Sequence, residues 1–174
     1  MTSPKTKQRI ANAIHYIVAR TSRHELGATK LNKVLWLADQ MAWRERQESL
    51  TGLKSYIRMP QGPVPECIGD VLASLKSNDL IIEIEEPTPV GNRREFVSNV
   101  HPSLDGFTAQ DIDLINRAID YITLQSASLV SEQTHDAYWD ELVNGDDMSI
   151  AAAAVWFEPP DIAAIEWARS VLSA

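Results

Sequence analysis

Apolar residues first recur at the spacing of one buried helix face: Ile10, Ala13, Ile14, Ile17 and Val18 lie three and four positions apart. Ser3 and Pro4 supply an N-cap and a first helical position ahead of them. Gly27 interrupts the pattern, and Thr29 is expected to cap a second helix whose stripe is Leu31, Val34, Leu35, Ala38, Met41 and Ala42. Trp36, Leu37 and Trp43 spread its apolar surface beyond one face, which marks it as the central helix. From Ser49 the pattern changes. Thr51-Gly52 signals a turn, Tyr56-Ile57-Arg58-Met59 alternates weakly as a short strand does, and Pro60, Gly62, Pro63 and Pro65 exclude regular helix.

A third helix is expected near Pro65, with Ile68, Val71, Leu72 and Leu75 facing inward. Residues 80–85 and 93–99 flank a loop containing Pro87, Pro89, Gly91 and Asn92, and read as a hairpin with Arg93 and Arg94 returning opposite Glu83 and Glu85. Thr108 with Asp111 three residues later opens a fourth helix carrying Ile112, Ile115, Ile119 and Ile122. A short fifth helix is expected from Ser131-Glu132 through Leu142, then a turn at 144–147, and a last helix after Pro159-Pro160-Asp161. The fold class expected is therefore mainly α (α+β): a compact multi-helix domain with one small, wing-like β-hairpin after the third helix.

Composition narrows the function. A chain of 174 residues with 44% hydrophobic residues fits one domain and is not disordered by default. The net charge of −8, from 16 bases against 24 acids, argues against wholesale binding to nucleic acid or to an anionic membrane. Resolved along the chain, residues 1–47 carry nine bases and three acids, and residues 105–174 two bases and thirteen acids. That split predicts a polarised surface whose acidic half meets a basic partner. One cysteine makes no internal disulfide, no apolar stretch approaches the roughly 20 residues of a membrane helix, and the N-terminus lacks a signal peptide's apolar region. A cytoplasmic setting is the expectation.

No glycine-based phosphate cradle is present. Cys67 near a helix start, with His135 as its base, is the one nucleophile candidate, but a lone cysteine is more often buried packing and nothing along the chain joins the two. His15, His24, His101 and His135 lack metal-ligand spacing, and the Asp146-Asp147 pair reads as solvated loop. No catalytic residue, cofactor or metal is expected, and the chain does not read as an enzyme. The helix before the hairpin offers Glu66, Asp70 and Asp79 against Lys76, the wrong sign for a DNA-reading winged helix.

Three segments carry a resemblance. Residues 30–39, K-L-N-K-V-L-W-L-A-D, resemble a helix written K-L-x-K-L-L-Y-x-A-D. Leu50-Thr51-Gly52, then Tyr56, then Gly62-Pro63-Val64-Pro65 resemble L-T-G…Y…G-P-V-P. Ser131-Glu132-Gln133-Thr134-His135 followed by Trp139 resembles S-x-x-[ST]-H…W. In this order they resemble the Panacea domain, the SocA-like family of antitoxins and phage-associated proteins, over about residues 10 to 155 of one domain spanning 1–174. Gln61 stands where the family often has an aromatic residue, and the tail, with its helix from about 157 to 174, matches nothing in the pattern.

The resemblance implies a non-catalytic antitoxin that neutralises a co-encoded toxin by direct binding. Its alternatives are an adaptor delivering the toxin to a cytoplasmic protease, or a DNA-binding regulator of its own operon. It implies as partners a cognate toxin and, for the adaptor, that protease; nucleic acid is disfavoured and a membrane is not expected. The site residues it singles out are Tyr56, Arg58, Gln61, Gly62, Pro63, Thr134, His135 and Trp139. On a packing reading, Gly62 and Pro63 shape the turn before the third helix, Tyr56 packs beneath it, and His135 is a hydrogen-bonded interior residue. On a contact reading, Tyr56, Arg58, Gln61, His135 and Trp139 line a groove for a toxin segment.

Overall fold

The computed structural model describes residues 2–89, 91–126 and 137–156. Helix α1 (Pro4–Arg20) begins where the Ser3 hydroxyl accepts the Thr6 N–H, with Pro4 as its first residue, and buries Ile10, Ala13, Ile14, Ile17 and Val18. Helix α2 (Ala28–Arg46) is buried at every residue from Lys33 to Ala42, so it is the central helix its composition predicts. Its N-cap is Gly27, which has no side chain to cap with, rather than Thr29. The Thr29 hydroxyl instead donates to Gln61 Oε1 at 2.9 Å.

After a tight turn, β1 (Ser55–Met59) pairs antiparallel with β2 (Gly62–Val64), Arg58 standing opposite Pro63. Pro63 is tolerated because β2 is an edge strand. Helix α3 (Ile68–Ser77) buries Val71, Leu72 and Leu75 and leads into the hairpin of β3 (Ile81–Thr88) and β4 (Gly91–Ser98). The hairpin's apolar contact with the core is at its base, through buried Ile81 and Phe96, while Ile82 is exposed. Arg94 stands opposite Glu85, as expected, and pairs with Glu83, while Arg93 stands opposite Glu86.

Helix α4 (Ala109–Thr123) opens with the expected capping box: the Thr108 hydroxyl accepts the Asp111 N–H, and the Asp111 carboxylate accepts the Thr108 N–H. Leu114, Ile115, Ala118, Ile119 and Ile122 pack it on α2. Of the expected fifth helix, Ala137–Asp140 (α5) is described, and its earlier residues, Thr134 and His135 among them, lie outside the described residues, as does the expected helix from 157. Strand β5 (Asp147–Ser149) then pairs with β1, and α6 (Ile150–Trp156) returns onto α2.

The expected mainly α class with one hairpin is thereby corrected. The structure is 49% helical and 20% strand, with a three-stranded sheet ordered β2-β1-β5 beside the two-stranded β3-β4 sheet, a mixed α+β fold. The missing sheet escaped the pattern reading because β2 and β5 are three residues long, too short for alternation to show. β2 consists of residues that otherwise signal turns, and β5 begins inside the expected 144–147 turn. Backbone pairing to β1 makes both strands.

Candidate functional site

A fully buried carboxylate organises the junction of α2 with the three-stranded sheet. Asp39 accepts the Thr51 N–H at 2.8 Å, the Thr51 hydroxyl at 2.6 Å and the Tyr56 hydroxyl at 2.8 Å. Trp36 meets the Tyr56 ring edge to face, centroids 4.9 Å apart. Burial pushes the Asp39 pKa up to about 6, and the donors from Thr51 and Tyr56 pull it back only in part. Asp39 of the first motif segment and Thr51 and Tyr56 of the second thus form one hydrogen-bonded unit that fixes where β1 leaves the core.

Six positions before Asp39 on α2, Lys33 is also buried, and burial pulls its pKa down to about 8. Its ammonium lies beneath Gly62, where a Cβ would come within 2.9 Å of Nζ. Gly62 also has φ +131°, a conformation that side chains other than hydrogen disfavour. The positive φ is what calls for glycine here, and the missing Cβ leaves room for the Lys33 ammonium beneath it.

A second buried carboxylate, Glu95 on β4, ties the hairpin to the loop between α1 and α2. Arg93 Nε lies 3.0 Å and Arg23 Nε 3.2 Å from its oxygens, and Arg23 also pairs with Glu86. Arg93 donates back to the His24 carbonyl, and Gly27 bridges to Glu95. His24, Glu86 and Glu95 bring ligand-type atoms within 4.8 Å of one another. Both carboxylates are held by guanidinium groups, so the cluster reads as an ion-pair lock.

Between this lock and the β1–β2 turn runs an open groove of about 910 Å³, at the upper end of the size of ligand pockets. The start of α2 forms its floor, the turn from Met59 to Val64 one wall, and β4 residues Gly91 to Arg94 the other. Gln61, Gly62 and Pro63 of the expected site line it; Tyr56 does not, being fully buried. Arg58 and Trp139 form a separate clamp, the guanidinium 4.1 Å above the indole and Nε donating to the Trp139 carbonyl at 3.2 Å. The structure thus divides the described expected residues into core, clamp and groove wall. Thr134 and His135 fall outside the described residues.

Residues 31–140, more than half of the chain, match the family model described as antitoxin SocA-like, Panacea domain. The chain belongs to the SocA-like Panacea family. Comparisons with curated proteins and with solved structures returned no match. The matched Panacea span contains the Asp39–Thr51–Tyr56 unit, the Arg58–Trp139 clamp and both groove walls, while His24, Gly27 and Lys30 precede it. No helix among the described residues is long and apolar enough to cross a membrane.

Sequence reasoning missed Lys33, Asp39 and Glu95 as organising charges. The signal was present on α2: two ionisable residues inside a helix apolar on more than one face need partners within the core. Glu95 carried no such signal, because a hairpin's alternation does not show which face its base buries. The Cys67 thiol is buried at the start of α3, and burial pushes its pKa up, away from thiolate character.

Proposed function

We propose that this chain is an antitoxin that neutralises a co-encoded toxin by direct protein–protein binding, acting as a non-catalytic scaffold. The observation that carries this reading is the match of residues 31–140 to the SocA-like antitoxin family. The Cys67 thiol, the one nucleophile candidate of the sequence, is buried and has a raised pKa, which speaks against covalent chemistry there. The open groove beside the β1–β2 turn supplies a concave surface large enough for a segment of a partner. The test is co-expression with the neighbouring gene. Growth rescue together with a co-purifying pair at unchanged toxin level is the expected result. Loss of the toxin only when a protease is active would assign the adaptor mechanism, and neither rescue nor co-purification would remove the antitoxin reading.

A further inference from the structure

The groove has a charge opposite to that of the chain. Among the described residues lining it the ionic ones are Lys30, Arg93 and Arg94, with His24 beside them and no carboxylate, in a protein of net charge −8. Arg93 and Arg94 reach back to Glu95 and Glu83, whereas the Lys30 ammonium meets the Thr123 carbonyl only at 3.5 Å. Burial and then the neighbouring Arg93 charge pull the Lys30 pKa down, so these cations crowd one another. The first turn of α2, which forms the floor, carries no acidic residue to offset the positive end of the helix dipole. The facing wall is apolar: Met59, 44% exposed, with Pro60 and Val64.

We infer that the groove receives an extended segment of the protein partner in which carboxylates alternate with apolar side chains, the carboxylates meeting Lys30, Arg93 and Arg94 and the apolar residues meeting Met59, Pro60 and Val64. The inference rests on the reading of the chain as a partner-binding antitoxin. Alternation follows from strand geometry, since successive side chains of an extended segment point to opposite walls. Nucleic acid fits less well, because its unbroken phosphates have no use for the apolar wall and are repelled by a chain of this net charge.

The experiment is titration of the full chain with the co-encoded toxin, for the wild type, Lys30→Glu, the milder Lys30→Gln, and Lys5→Glu on exposed α1 as a control. Lys30→Glu is expected to weaken the complex by roughly tenfold or more, Lys30→Gln less, and Lys5→Glu not at all, with melting temperatures unchanged. A Glu→Lys change in the bound toxin segment should restore the Lys30→Glu complex. A complex indifferent to Lys30→Glu overturns the groove assignment and leaves the antitoxin reading standing. If the wild type forms no complex, the antitoxin reading fails by itself, and a labelled peptide alternating Glu and Val then decides the groove. Binding that is lost with its Gln counterpart and weakened by Lys30→Glu supports the assignment; no binding, or stronger displacement by an RNA oligonucleotide than by unlabelled peptide, overturns it.

Discussion

At the scale of single residues, two positions carry the geometry of the site. Gly62→Ala places a Cβ against Lys33 at φ +131° and should destabilise the fold by about 1–3 kcal/mol, read from denaturant melts. Asp39 carries the clearest pH dependence. Its folded pKa of about 6 lies above the ordinary 3.8, so its stabilising contribution is full below 3.8 and is lost as pH rises through about 6. Compared with Asp39→Asn, the wild type should therefore gain stability as pH falls from neutral toward 4; a difference flat across that range would contradict the buried-carboxylate account. The partners of these residues were only half visible in the sequence. Tyr56 stood out only through the family resemblance, and that its hydroxyl ends on Asp39 depends on α2 and β1 meeting across the core.

Elements were legible where they are long. α1, α2, α3 and α4 turn inward the stripes that their three-and-four spacing predicts, with only Ile68 and Ile112 at their starts left partly exposed, because each has enough turns for periodicity to show. The three-stranded sheet was not legible, since β2 and β5 exist through pairing to β1 and not through their own pattern. How deep the hairpin sits was not legible either: Ile81 and Phe96 are buried, whereas Ile82 beside them is exposed. One junction holds several elements together. Asp111, whose carboxylate completes the α4 capping box, is buried between Arg9 of α1 and Arg46 of α2. Burial raises its pKa, but the Thr108 N–H and the Arg46 guanidinium outweigh that and hold it below the ordinary value. Asp111→Ala removes the capping box's return bond to the Thr108 N–H and the shared counter-ion of Arg9 and Arg46, and should cost about 3–5 kcal/mol in chemical denaturation. Arg58→Ala loosens the clamp on Trp139 and should cost about 1–2 kcal/mol by the same measurement.

Over the whole molecule, part of the charge split along the chain is met by pairing within the fold. Arg9 and Arg46 of the basic head spend their charge on Asp111 of the acidic half, and Arg117 pairs with Glu45. What the sum conceals is local: a cationic groove built from α2, the β1–β2 turn and β4. Its residues are distant in sequence, and no spacing could have joined Lys30 to Arg93. Holding the toxin, and not destroying it, is the action proposed for this member of the SocA-like Panacea family. Calorimetric titration of the purified toxin with the purified chain, with toxin activity followed in the same samples, tests it most directly. Saturable binding, with toxin activity falling in step with occupancy, is the expected result. Undiminished toxin activity and no binding, with growth rescued only where a protease is present, would contradict it.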